Sequence, residues 1–384
     1  MRFLPLFVIW CLWFLNFSTR TAFSPILPLI EESLSLSHGM SGALFTSLSI
    51  GYSLSLLAIG SFVSVWGHKR TVVIGFAGIG LTLIAFQWAE SYLAFHLLFF
   101  LLGMATGSYL PSMLPIITTT YAPGLWGRVI GINETAAGLS IFSIPIVVAF
   151  GLNFFSWKHL LLILAFASLV LPIFSWKVLD EPDKEPVRKG SRYLDLFKRK
   201  ILWVMVLFWI LASGSGLGLY SILPLYLVKE KGFDLHLANT LFGVSRIGGI
   251  FVPIFIGLLV DRYGYRTMLR LTLSATGLIT IALGLSPTLP LTLSSLVLQG
   301  ILSISFFPVG LAAISNTTSL TERSMAVGMT ISIGVMFGMG GAPLILGFIA
   351  DHFSFRAGII GLGILTALSS LGTVFLKESH RGNS

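Results

Sequence analysis

The sequence predicts an all-α polytopic membrane protein, with twelve transmembrane helices in two pseudo-symmetric six-helix bundles. Three observations carry that expectation. Of 384 residues, 55% are hydrophobic and only 10% charged, with 31 Phe. Soluble domains carry about a quarter charged residues, so this surface faces something other than water. The apolar residues fall in long runs, and the runs of the second half repeat the spacings of the first.

About 30 Å of hydrocarbon crossed at about 1.5 Å per residue needs roughly 20 apolar residues. Six such runs fill the first half: Leu4–Leu29, Gly39–Val65, Thr71–Trp88, Tyr92–Tyr121, Val129–Gly151 and His159–Val178. The second half gives Ile201–Val228, Leu237–Val260, Met268–Leu285, Leu291–Thr318, Met325–Ala350 and Ala357–Leu376. The first run exceeds a signal-peptide core and lacks a small-residue cleavage site, so it reads as a retained helix with no targeting extension before it. Between the halves lies a polar, Pro-containing stretch, Asp180–Lys200, expected to be a solvated tether with a short interfacial helix at Tyr193–Lys200 as the alternative. The domains are therefore 1–178, a linker 179–200, and 201–384.

The net charge of +9 is a topology signal. With both termini cytoplasmic, eighteen of the 24 Lys and Arg fall on the cytoplasmic side and four on the other, Lys158, Lys229, Lys231 and Arg356. That asymmetry removes nucleic acid as a partner and leaves the lipid bilayer. The remaining two, Arg20 and Arg246, fall inside helices. The single cysteine, Cys11, permits no intramolecular disulfide and fits no metal spacing. No Walker motif, paired catalytic carboxylates or metal-ligand cluster appears, so neither an ATP-driven pump nor an enzyme is expected, and no cofactor or metal.

The repeat is visible in fixed offsets. Leu44-Phe45 is followed by Gly60, and Leu241-Phe242 by Gly257 at the same spacing. Gly103 and Pro111 recur as Gly300 and Pro308. Ile26-Leu27-Pro28-Leu29 recurs as Ile222-Leu223-Pro224-Leu225. Hydrophobic helices share composition by default, but not such spacings.

At the cytoplasmic end of the eighth run stands Gly257-Leu258-Leu259-Val260-Asp261-Arg262-Tyr263-Gly264-Tyr265-Arg266. A weaker copy in the first half includes Gly60, Ser64, Gly67, Lys69 and Arg70. These stretches resemble the G-x-L-A-D-R-x-G-R-K motif of the major facilitator superfamily, and the resemblance covers nearly the whole chain. It implies a secondary transporter working by alternating access, in which Gly60, Gly67, Lys69, Arg70, Asp261, Arg262, Gly264 and Arg266 belong to a conformational latch. Ser64 stands where the family has Asp and cannot form its ion pair.

Candidate substrate contacts are the polar residues at membrane depth, because a charge there costs at least about 2.5–3.5 kcal/mol. Arg20 lies about nine residues, roughly 13 Å, from the outer end of the first helix, in a stripe Asn16, Arg20, Ser24 that suits a watery cavity. Snorkelling outward is the structural alternative. Arg246 falls near the midplane on a face with Asn239, Gly243, Gly249 and Pro253, and its repeat mate is Ser49. A guanidinium can hold a carboxylate by two charge-assisted hydrogen bonds; a structural ion pair or carbonyl cap is the alternative. The stretch Asn16–Leu29 with Gly51-Tyr52, and Arg246 itself, resemble organic-anion and monocarboxylate branches of the superfamily. Glu134 is either a proton-coupling residue or a structural partner for the basic cluster His68–Arg70. Tyr109, Tyr220 and Asn133 are further cavity candidates, with interhelical packing as the alternative. His96 reads as an interface residue, and the run Gly334–Gly341 as close helix packing.

The expected function is transport of a small organic anion, carboxylate-type, by a monomer in a prokaryotic inner membrane, with protons as a candidate co-substrate. A multidrug or other solute exporter of the same fold, and a transporter-like membrane sensor, are the alternatives.

Overall fold

The computed structural model describes residues 2–182, 196, 198–319 and 322–376. Eleven of its helices are long and apolar enough to cross a membrane, and a bent pair makes a twelfth. We number them in chain order: α1 Phe3–Ser33, α2 His38–Trp66, α3 His68–Trp88, α4 Tyr92–Thr120, α5 Pro123–Gly151 and α6 Trp157–Val178. The second half holds α7 Lys200–Lys229, α8 (Leu235–Ile250 with Phe255–Tyr263), α9 Tyr265–Leu285, α10 Leu289–Thr317, α11 Met325–His352 and α12 Phe355–Phe375. The interfacial helix expected at Tyr193–Lys200 falls largely outside the described residues.

The two ends of the bundle start their helices differently. At the end away from the linker, hereafter the far end, Ser37, Ser91, Ser156, Asp234 and Ser354 each accept the N–H three residues on, at the starts of α2, α4, α6, α8 and α12. Each thus satisfies one of the N–H groups a helix start leaves open. At the linker end, α3 and α9 begin instead after Gly67 and Gly264, which have φ of +81° and +79°. A side chain would be strained at either turn.

Several of the expected continuous helices are interrupted, among them α4 at Ser108 and α11 at Gly340. The α1 helix interrupts at Ala22, one residue past Thr21, because Pro25 has no N–H to give the Thr21 carbonyl. The break in α8 is larger: α-helix ends at Val244, a 3-10 turn runs Ile247–Ile250, and the two pieces bend by 51°. Arg246 sits in that break, not within a straight helix. An unbroken apolar run cannot reveal a bend, since hydropathy counts residues and not angles.

Small residues set how closely the helices approach within each half. A Cβ placed at Gly103 on α4 would lie 2.0 Å from the Leu48 carbonyl of α2. Its repeat mate Gly300 on α10 meets the carbonyl of Ser245, the mate of Leu48, at 2.6 Å. The duplication therefore extends to individual contacts.

Between the halves, α1 meets α7, α2 meets α11 and α5 meets α8. At the far end the Asp351 carboxylate of α11 accepts the His38 and Gly39 N–H groups of α2, at 2.8 and 2.9 Å. A Cβ at Gly347 would lie 2.2 Å from the His38 carbonyl, and one at Gly42 2.1 Å from that of Pro343. Further in, Thr46 donates to the Gly340 carbonyl and Ser53 to that of Ser332. Toward the linker end the packing opens: Gly60, Gly127, Gly131 and Gly257 have nothing within 4 Å of a Cβ position. The far end is closed and the linker end open.

Candidate functional site

Between the halves lies a narrow cleft, lined among others by Arg20, Ser24, Phe45, Tyr220 and Met339. Its two-fold character is direct. Pro224 lacks the N–H that would occupy the Tyr220 carbonyl, and Ser24 Oγ donates to that carbonyl at 2.7 Å. Ser24 and Tyr220 are repeat mates, separated like Pro28 and Pro224, so the pseudo-two-fold axis passes between them. One step away, Asn239 on α8 donates to the Pro25 carbonyl at 3.0 Å.

Arg20 is 8% exposed and Arg246 5%. The Arg20 guanidinium lies 4.4 Å from the centre of the Phe17 ring and 4.8 Å from that of Tyr52. Arg246 stands behind Tyr220, 5.7 Å from its ring centre and 5.4 Å from that of Phe242. It donates from Nη1 to Gln299 Oε1 at 2.9 Å. In both arginines Nε and Nη2 are buried without a hydrogen bond. Neither forms an ion pair among the described residues. Aromatic faces attract such cations but do not satisfy N–H donors, so four guanidinium nitrogens keep N–H groups without a protein acceptor, those of Arg20 at the cleft and those of Arg246 behind Tyr220.

The other predicted residues divide. Tyr220 forms the wall between the two arginines, and its hydroxyl reaches the Ile141 carbonyl at 3.4 Å. Asn16 turns toward α4, donating to the Thr106 carbonyl at 3.1 Å. The predicted stripe Asn16, Arg20, Ser24 therefore fans out to α4, to the cleft and to the other half. Tyr109 is fully buried, stacked on Trp13 at 4.9 Å with its hydroxyl on the Ile9 carbonyl. Asn133 is buried on α5 with Oδ1 unpartnered. Glu134 lies close to Trp13 and Tyr109, roughly 10 Å from Arg20 toward the linker end by helical rise. It makes no ion pair among the described residues.

The partner of the basic cluster is Glu181, at the start of the linker, and not Glu134. Its carboxylate accepts the N–H groups of His68 and Lys69 at 2.6 and 3.0 Å, capping α3. A Cβ at Gly67 would lie 2.6 Å from Glu181 Oε1, so the glycine is needed for space as well as for its φ. Lys69 lies over the Trp176 ring, and Arg70 is exposed. In the second half Asp261 and Arg262 are exposed, with Arg262 against the Tyr263 ring. Arg266 donates to the Thr373 carbonyl of α12 at 3.0 Å. His96 bonds Ser47 of α2 at 2.6 Å.

Two positions with bonds at the half–half contact or to a candidate arginine escape the sequence reading. Asp351 had a readable signal: Gly347, Asp351, Ser354 and Arg356 keep the spacing of Gly257, Asp261, Gly264 and Arg266, at the opposite end of the bundle. Gln299 had a weaker one, as an amide inside the apolar run Leu296–Ile301.

The chain matches the sequence profile described as Major Facilitator Superfamily over residues 9–293 and 219–384. It is 26% identical to the probable sulfoacetate transporter SauU of Cupriavidus necator, over 96% of this chain and 93% of that one. It is 23% identical to the hexuronate transporter of Bacillus subtilis, over 67% of this chain and 63% of that one. Among solved structures, it superposes with a TM-score of 0.83 on a bacterial homologue of the human lysosomal transporter Spinster in an inward-facing, unoccupied conformation. That match covers 99% of both chains at 15% identity.

Proposed function

We propose, for a chain that belongs to the major facilitator superfamily, that it moves a small organic anion bearing a carboxylate or sulfonate across the membrane by alternating access. One observation carries this reading: two guanidiniums, each at least nine-tenths buried, Arg20 lining the cleft and Arg246 behind its wall residue Tyr220, keep Nε and Nη2 unpartnered. Holding a charge at membrane depth is expensive, and a structural arginine recovers that energy through a carboxylate or carbonyls. Arg20 and Arg246 leave donors free on both sides of Tyr220 instead. An anion satisfies these donors and offsets the charge, and planar carboxylate geometry suits the guanidinium fork. The names of two relatives, a sulfoacetate and a hexuronate transporter, fit this substrate class.

With the linker end cytoplasmic, as the Lys and Arg distribution has it, the structure is the inward-open state. An anion drawn between arginines of opposite halves favours a state in which both reach it, which supplies the differential affinity that transport needs. Glu134, ion-pair-free and on the linker side of Arg20, is our candidate carrier of a coupled proton.

The test is ligand-induced thermal stabilisation of the purified protein by sulfoacetate, glucuronate, acetate and a lipophilic cation. Stabilisation by the anions alone is expected, by roughly 2.7 kcal/mol at a hundredfold excess over Kd. Arg246→Lys keeps a positive charge but loses the fork, and anion affinity is expected to fall at least about tenfold. Stabilisation by the cation and not by the anions would transfer the site to an exporter of apolar solutes.

A further inference from the structure

Gln299 lies on α10 with no exposed surface. Its two amide ends have different tasks. Oε1 accepts from Arg246 Nη1 at 2.9 Å, while Nε2 donates to the Ser215 carbonyl of α7 at 2.5 Å. Ser215 belongs to a wide π-turn, Gly214–Gly218. There the Leu219 N–H reaches the carbonyls of Gly214 and Gly216 and passes over that of Ser215. A carbonyl on one side and a guanidinium on the other allow the amide a single orientation, because a carbonyl needs a donor and an arginine an acceptor.

The repeat shows that this arrangement is not scaffold. Gly300 and Gly103 make equivalent close contacts in the two halves. Yet the positions matching Gln299 and Arg246 are Leu102 and Ser49, both fully buried. Amide and guanidinium occur together in the second half and are replaced together in the first.

We propose that Gln299 is the positioning residue of the anion site, an uncharged support that fixes the Arg246 guanidinium while leaving its charge for the substrate. The proposal rests on the reading of the cleft as an anion site. A carboxylate at the same place would neutralise Arg246 and set an oxygen against the Ser215 carbonyl with no hydrogen between them. An apolar side chain would leave a third buried guanidinium donor without an acceptor and free the side chain to swing. An amide avoids both. Gln299 thereby acts on specificity without touching the substrate, as outer partners of a metal site orient its ligands.

The experiment compares the purified native protein with Q299E and Q299L, titrated with sulfoacetate and glucuronate by calorimetry, alongside the unliganded Tm of each. Expected is a loss of anion affinity of at least about tenfold in Q299E, and a smaller loss in Q299L, which keeps the free charge but not its orientation. A residue that merely holds helices together would lower Tm in both variants and leave affinity unchanged. Affinity within about twofold of native in Q299E overturns the proposal while the anion reading stands. Should Q299E not fold, Q299L decides on the same criterion. If the native protein binds neither anion, the anion reading itself falls, and the role of Gln299 with it.

Discussion

The two ends of this molecule use one sequence frame for opposite states. At the far end, Gly347, Asp351, Ser354 and Arg356 surround a contact that is made: Asp351 accepts two N–H groups of the opposite half. At the linker end, Gly257, Asp261, Gly264 and Arg266 have the same spacing, but Asp261 is exposed and in no ion pair among the described residues. The difference lies in what each carboxylate faces. Asp351 meets the start of α2, where open N–H groups and the helix dipole favour an anion. Among the described residues, no N–H of the other half donates to Asp261, which is exposed. Helix capping repeats the contrast: five far-end helices carry their own Ser or Asp cap, whereas α3 relies on Glu181 from the linker.

Three substitutions probe this contrast, each read from the distance between spin labels at Glu32 and Phe353, both exposed at the far end, with Cys11 replaced. The largest effect is expected of Gly347→Val, whose side chain must displace the His38 carbonyl from a contact of 2.2 Å. Overpacking of this kind costs about 1–3 kcal/mol, so far-end opening should rise by about five- to 150-fold. An unchanged distance distribution would mean that the far end is not held by close packing. Asp351→Ala removes two charge-assisted hydrogen bonds and a helix cap, and about a tenfold shift toward far-end opening is expected. Asp261→Asn should leave the distribution within about 0.5 kcal/mol of native, because it removes no contact in the linker-open state. A shift as large as that of Asp351→Ala would show that Asp261 already holds this state together.

Much of the fold was legible. Apolar run length located all twelve helices, since each must hide its backbone polar groups within a membrane-long segment. The repeat offsets anticipated contacts as specific as Gly103–Leu48 and Gly300–Ser245. Both intramembrane arginines were visible because charge in an apolar run is conspicuous. Less legible was everything set by geometry or by distant partners. The bend at Arg246 leaves no mark in composition, and Pro25 marks the α1 break only once the interruption at Ala22 is known. Glu181, looked for in no site because it lies in a polar tether, takes the position that Glu134 was a candidate to fill. Gln299 is uncharged and so fell below the filter that found Arg246, although its amide is what holds that arginine.

The bond from Ser24 to the Tyr220 carbonyl has a consequence for ancestry. On a two-fold axis a residue faces its own copy, and such isologous contacts must be self-complementary. A single six-helix unit pairing with itself would therefore have needed one residue able to give and to accept at that point, as a serine hydroxyl and a proline-freed carbonyl are. Once both copies lie in one chain the obligation lapses, and each member can specialise. Here one member is a small donor and the other an aromatic partition between two cations. Two identical units would place identical arginines symmetrically about the axis, whereas one chain can carry Arg20 and Arg246 at positions that do not match in the repeat.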